Sequence, residues 1–238
     1  MATQHTVRSY DVELNFLVGK IAEMGGHAER MIERAVTALT KGDDKLAQVV
    51  IAEDKFLDSA QREIEEKAIL TIARRQPMSV DLREIVGAIR ISNDIERIGD
   101  MAKNIAKRSF AVSEGRHPGK LNHSIETLAE LALTQLKDVL DVYASRSVNR
   151  LSAVRDRDEE IDSLYTSLFR ELLTYMMEDP RNITACTHLL FCAKNLERVG
   201  DHATNIAETV FYIATGNQMA TDRPTEDSSH EVSVDLPK

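Results

Sequence analysis

Apolar residues recur at intervals of three and four along most of the chain, which is the period of an amphipathic helix. In a first segment from about Val7 to Lys41, Leu14, Leu17, Ile21, Met24, Ala28, Met31, Ile32, Ala35 and Leu39 share one face. The pair Gly25-Gly26 inside it costs roughly 1 kcal/mol per residue in helix propensity. It therefore marks either a mild bend or a place where another helix comes close. After Gly42-Asp43-Asp44 a second helix is expected to about Arg74, with Val50, Leu57, Ile64, Ala68 and Ile72 inward. Gln76-Pro77-Met78-Ser79 breaks the pattern. Ser79 then caps a third helix to about Val112, with Asp81 and Glu84 in its first turn.

The stretch Ser113 to Gly119 (SEGRHPG) is the most turn-like interior segment. Beyond it the pattern predicts a fourth helix from about Lys120 to Ser145 and a fifth from about Asn149 to Glu178. A sixth follows Asp179-Pro180 and ends near Thr215-Gly216. Three long helices on either side of one loop predict an all-α fold of two tandem, pseudo-repeated three-helix bundles, because each apolar stripe needs neighbours to cover it. The expected units are residues 1–115 and 119–216. Residues 217–238, rich in Thr, Ser, Asp and Glu, are read as a flexible C-terminal tail.

Composition sharpens this. Among 238 residues there are 10 Gly, 5 Pro and no Trp, too few turn-formers for a many-stranded sandwich or barrel. The formal charge of -9 repels phosphate backbones and argues against nucleic acid as a partner. Cys186 and Cys192 form no disulfide framework or CxxC unit and are read as buried thiols of a reducing cytoplasm. No secretory signal or membrane span is expected, leaving peripheral association with membrane proteins open.

An internal repeat carries the chemistry. Residues 94–106, DIERIGDMAKNIA, return as residues 195–207, NLERVGDHATNIA, and the segments before them, RRQPMS and MMEDPR, also correspond. Each copy places a Glu and an Asp four residues apart: Glu96 with Asp100, and Glu197 with Asp201. On a helix these carboxylates lie one turn apart on one face. In the first copy Leu82, Val86 and Ile89 project within roughly 80° of the line through the acids. Cys186, Leu190 and Ala193 do so in the second, so an apolar seam is expected to run into both pairs. The second and fifth helices add Asp54/Asp58 and Asp158/Asp162, again four apart.

Four carboxylates could thus gather in each bundle, in the way that helical bundles build metal sites. All-oxygen donors suit Mg, Mn, Fe or Ca better than Zn or Cu. The alternative is ion pairing with Arg97, Arg198 or lysines such as Lys55, with Gly99 and Gly200 serving close packing; the residues leave both readings open. The Glu-x-x-His pattern of di-iron bundles is absent, and His202 follows Asp201 in one copy only. The basic runs Lys103 to Arg108 and Arg146 to Arg157 are read as solvated faces. Ser92, Asn93 and Asn104 are read as surface polar groups, and Phe211, Tyr212 and Tyr175 as core. No nucleotide-binding glycine loop, zinc-protease or hydrolase motif occurs, and no nucleophile with base and orienter is apparent.

The twin ERIGD/ERVGD motif, with AEDKFLDSAQREIEEKAI, IARRQPMSVDLR, LLTYMMEDPRNI and LFCAKNLERVGDHATNIAE, resembles the PhoU family of bacterial phosphate-specific transport accessory proteins over about residues 8–215. The resemblance implies two similar three-helix bundles, usually dimeric, in the cytoplasm or at the inner membrane face. It implies a non-catalytic negative regulator of the phosphate regulon and of high-affinity phosphate uptake, bridging the phosphate ABC transporter and a sensor histidine kinase. It further implies divalent or trivalent metal ions, Mg, Mn or Fe, at Glu96, Asp100, Glu197 and Asp201, with Asp54, Asp58, Asp158 and Asp162 as counterparts. Asn195 replaces the acid found at Asp94, which puts a fifth oxygen ligand in doubt for one half. The rival expectation is a metal-storage or metal-dependent hydrolytic bundle.

Overall fold

The computed structural model describes residues 8–113, 119–146 and 148–219. Six long helices make up these segments: α1 (Arg8–Lys41), α2 (Asp44–Arg75), α3 (Ser79–Ser113), α4 (Gly119–Ser145), α5 (Leu151–Glu178) and α6 (Ile183–Thr215). Their ends follow the expected breaks. The Asp43 carboxylate accepts the Leu46 amide at 3.0 Å and caps α2. At its other end Gln76 adopts φ 48° and sends its amide back to the Ile72 carbonyl at 3.0 Å. Gly216, with φ 75°, closes α6 in the same way on the Tyr212 carbonyl at 2.8 Å. α5 and α6 begin slightly later than the pattern suggested, because short 3-10 turns, Val148–Arg150 and Pro180–Asn182, lead into them. α3 starts at Ser79 itself rather than after it. The expected domain boundary, residues 114–118, and most of the expected tail, residues 220–238, lie outside the described residues.

The width of each buried stripe fixes a helix's place in the array. α2 buries a single narrow row, Ala47, Val50, Asp54, Leu57, Ala60, Ile64, Ala68 and Thr71. Such a stripe faces one groove, and α2 packs against α1 and α3 alone. α5 likewise lies against α4 and α6. α6 buries a much wider face that includes Leu189, Cys192, Ala193, Leu196, Val199, Ala203, Ile206 and Val210. It touches α3, α4 and α5. α1 is equally broad, with Met31, Ile32, Ala35, Ala38 and Leu39 all inside, and touches α2, α3 and α4.

The two three-helix bundles are consequently fused side by side along the α3/α6 and α1/α4 contacts, and one continuous apolar core draws on all six helices. Gly25 belongs to this junction: a Cβ there would come within 2.5 Å of Leu140 on α4. α1 runs unbroken through the pair, and Gly25 marks a close approach. Ser92, expected on the surface, is fully buried and donates its hydroxyl to the Ile89 carbonyl at 2.9 Å. Leu82, expected in the seam, is 37% exposed. Cys186 and Cys192 are free and buried, as expected. No helix among the described residues is long and apolar enough to cross a membrane.

Glycines test the packing directly. A Cβ at Gly99 would overlap Leu57 of α2, whereas one at Gly19 would meet nothing within 4 Å. Gly19→Ala is therefore expected to stabilise by up to about 1 kcal/mol. Gly99→Val should destabilise by about 1–3 kcal/mol through overpacking. Paired urea melts of both variants check the contrast, and equal effects would contradict it.

Candidate functional site: two carboxylate clusters

In the N-terminal half, Asp54 shares the buried row of α2 with Val50 and Leu57 and is 7% exposed. Because Gly99 has no side chain, Leu57 lies directly against α3, which brings the α2 carboxylates up to Glu96 and Asp100. Lys103 joins the two helices: its ammonium donates to Asp54 Oδ2 at 2.6 Å and to Asp100 Oδ1 at 2.7 Å. Arg97 adds contacts of 3.3 Å to Asp100 and 3.5 Å to Glu96. Burial raises the Glu96 pKa, and the Asp100, Asp58 and Asp54 carboxylates add to this against the pull of Arg97. Burial alone would lower the Lys103 pKa, but the hydrogen bonds to Asp100 and Asp54 hold its ammonium charged.

The C-terminal half buries more acid. Asp158 and Asp162 on α5 are each 7% exposed and Glu197 on α6 is 5% exposed. The uncharged residue Thr204 stands where the first copy has Lys103. The Gln135 amide from α4 donates to the Val154 carbonyl at 2.9 Å, to Thr204 Oγ1 at 3.2 Å and to Asp158 Oδ1 at 3.3 Å. Gly200 again makes room, since a Cβ there would lie 3.0 Å from Gln135 Oε1 and 3.4 Å from Asp158 Oδ1. Lys194 donates to Glu197 Oε1 at 2.8 Å. Glu197 Oε2 and Gln135 Oε1 are buried with no hydrogen-bond partner among the described residues. Burial pushes the Glu197 carboxyl up to about 7; Lys194 opposes this, while Asp201 and Asp162 add to it.

Between the halves, His202 Nδ1 lies 2.9 Å from Asp94 Oδ1, tying α6 to α3 beside both clusters. Two helix pairs related by an internal repeat, each closing on acidic side chains at a motif glycine, are the features by which known proteins can be compared. A PhoU domain model matches residues 21–109 and again residues 125–210. This chain belongs to the PhoU family.

It is 62% identical over 227 residues to a phosphate-specific transport system accessory protein PhoU homolog of Rhizobium meliloti, covering 95% of this chain and 96% of that one. A Caulobacter vibrioides protein of the same description is 52% identical over 225 residues, 94% and 98% of the two chains. The crystal structure of PhoU from Pseudomonas aeruginosa superposes with a TM-score of 0.84 at 35% identity, over 87% of this chain and all of that one. The phosphate transport system regulatory protein PhoU from Streptococcus pneumoniae gives 0.82 at 26% identity, over 89% and 99%.

Against the PhoU-family expectation of oxygen-ligated metal, the two halves differ. The C-terminal cluster offers hard oxygen donors and an orphaned buried carboxylate oxygen, Glu197 Oε2, a combination that suits a cation. In the N-terminal cluster an ammonium already bridges the acids. Among the described residues no three Asp, Glu, His or Cys side chains stand in a ready coordination shell.

Sequence reasoning missed the partners. Lys103 and Arg108 were read with a solvated run, yet Lys103 bridges Asp54 and Asp100, and Arg108 lies 4.1 Å over the Phe191 ring. Lys103 and Lys194 pair with the motif acids, each three residues from one on its own helix, whereas Lys55 is exposed. That spacing was visible in the sequence and is the signal that could have found them. Gln135 carried no such signal. Asn93, exposed as expected, hydrogen-bonds Gln61. Phe211, Tyr212 and Tyr175, expected inside, are half-buried.

The Glu197 carboxyl gives a pH test. Its folded-state pKa of about 7 exceeds the ordinary 4.5, so the folded chain retains a proton that the unfolded chain releases. Its ionisation costs nothing below the unfolded value and destabilises progressively as pH rises towards 7. In chelator, Glu197→Gln should therefore raise stability at pH 8, by roughly 3 kcal/mol at most, and change it little at pH 4.5. Denaturant melts at the two pH values decide this; an equal change at both would contradict it.

Proposed function

We propose that this chain is a PhoU-type negative regulator of the phosphate regulon and of high-affinity phosphate uptake. It acts as a non-catalytic adaptor between the phosphate ABC transporter and its sensor histidine kinase, as a homodimer at the cytoplasmic face of the inner membrane. The observation that carries this reading is near full-length identity, 62% over 95% of the chain, to a protein described as a phosphate-specific transport system accessory protein.

The geometry supports an adaptor in two ways. The acids are shared between helices, Asp54 with Asp100 through Lys103, so a change in their charge acts on helix packing. The connections between α2 and α3 and between α5 and α6 also expose apolar side chains at corresponding places. These are Leu70, Met78 and Val80 in one half and Met177 and Ile183 in the other, suited to contact with partner proteins.

A resident Mg, Mn or Fe ion would supply positive charge to the carboxylates. Glu197, Asp201, Asp158 and Asp162 are the residues that would hold it in the C-terminal half, with Glu96, Asp100, Asp54 and Asp58 as their N-terminal counterparts. The protein's own part is to fix those acids in the α2/α3 and α5/α6 seams, so that neutralising them favours one helix packing over another.

A pull-down from phosphate-replete cells tests this reading, using wild-type chain and a Glu96/Asp100/Glu197/Asp201 quadruple alanine variant with elemental analysis of both. The wild type is expected to retain metal together with transporter or kinase, and the variant to lose both. Chelator should lower the wild-type Tm and leave that of the variant unchanged. Phosphoester or redox turnover, or metal without either partner, would instead favour a hydrolytic or storage bundle.

A further inference from the structure

We propose that a cavity where the two bundles meet, remote from the acid motifs, binds a small aliphatic monocarboxylate, with Arg146 and Tyr143 holding its head group. The space follows from the helix array. α1 and α6 each pack on both α3 and α4, whereas the diagonal pairs α1/α6 and α3/α4 do not pack on each other among the described residues. At one end of this four-helix ring a cavity of about 220 Å3 opens, walled by Leu17 of α1, Val210 and Ile213 of α6, Glu84 of α3, Tyr143 of α4 and Arg146 just beyond α4. Both halves of the chain therefore line it.

Its inner part is apolar and fixed. Leu17 is 2% exposed and Val210 4%. Arg83 donates from Nε to the Ile213 carbonyl at 3.3 Å, which ties α3 to the α6 wall. The volume exceeds the roughly 150 Å3 that takes a benzene ring and falls short of the roughly 300 Å3 of the smallest drug-sized sites, which suits a chain of about eight carbons.

The mouth is polar, and its chemistry selects the head group. Arg146 reaches across the α3/α4 diagonal to Glu84 Oε1 at 2.9 Å. Its backbone has φ 56°, a left-handed conformation that costs energy for any residue with a side chain and that glycine ordinarily occupies at a helix end. Here an arginine keeps that strain and sets a guanidinium over the cavity. One nitrogen of the group serves Glu84; the side chain is 55% exposed against 15% for Glu84, so its remaining N–H donors stand on the solvent side. Burial raises the Tyr143 pKa, with Glu84 adding to this and Arg146 opposing it through charge alone, so the hydroxyl stays a protonated donor. Glu84, the acceptor at the mouth, is already paired with Arg146. Two donors above an apolar chamber call for an accepting head on an apolar body, and a planar carboxylate matches the guanidinium best.

Calorimetric titration of octanoate into the full chain tests the site, with thermal melts by circular dichroism showing that each variant is folded. Wild type is expected to bind one octanoate per chain saturably and to melt higher in its presence. Octan-1-ol should bind about tenfold more weakly or worse. Ala214→Trp, which fills the cavity from an exposed position on its wall, should abolish binding. Arg146→Gly suits the left-handed backbone and should bind octanoate no better than octan-1-ol, while Tyr143→Phe should weaken octanoate by up to about tenfold. No saturable octanoate binding to the folded wild type, or binding that Ala214→Trp and Arg146→Gly both leave unchanged, overturns the site. Octan-1-ol binding to wild type as tightly as octanoate overturns the carboxylate head, and an unchanged Kd in Tyr143→Phe overturns the part given to its hydroxyl.

Discussion

A carboxylate buried in a seam between helices costs several kcal/mol unless charge or hydrogen bonds compensate it. In this protein both outer helices bury acids among their apolar residues, Asp54 on α2 and Asp158 and Asp162 on α5. Much of the local architecture answers that constraint. Gly99 and Gly200 let the outer helices come close enough for acids of facing helices to share a counter-charge. Lys103 bridges across one seam, while Gln135 reaches into the other from a third helix.

The duplicated halves therefore keep a common scaffold and solve its electrostatics differently. In the first, the compensating group comes from α3, just beyond the motif Asp; in the second, Lys194 precedes the motif Glu by one turn and the interior is lined by amides and hydroxyls. Because α3 and α6 pack on each other and Asp94 meets His202 across that contact, the clusters do not belong to independent bundles. A shift of packing in one half bears on the shared core of the other.

Much of this was legible in the sequence, for identifiable reasons. Helix extents followed from long three-four periodicity and from breaks such as Gln76-Pro77 and Asp179-Pro180, where backbone chemistry dictates the outcome. The approach of Asp54 and Asp100 across the α2/α3 seam followed from i,i+4 spacing on helices that had to pack. The fusion of the bundles did not, although it was encoded in stripe width: the narrow row of α2 against the broad faces of α1 and α6. Leu82 was misplaced because it lies in the first turn of α3, where it stays 37% exposed. The counter-charges were missed because a lysine in a basic run reads as solvated until the facing helix is known, and Gln135 sits on a third helix, α4, with no acid spacing to mark it.

In this account the acids regulate by setting how tightly facing helices hold together. Amide hydrogen exchange across the whole chain, with and without Mn2+, measures that coupling most directly. The account predicts added protection concentrated in the two seams, in α5 and α6 around Asp158 to Asp162 and Glu197 to Asp201 and in α2 and α3 around Asp54 to Asp58 and Glu96 to Asp100, with α1 and α4 little changed. Protection that is absent, or spread evenly over all six helices, would contradict it.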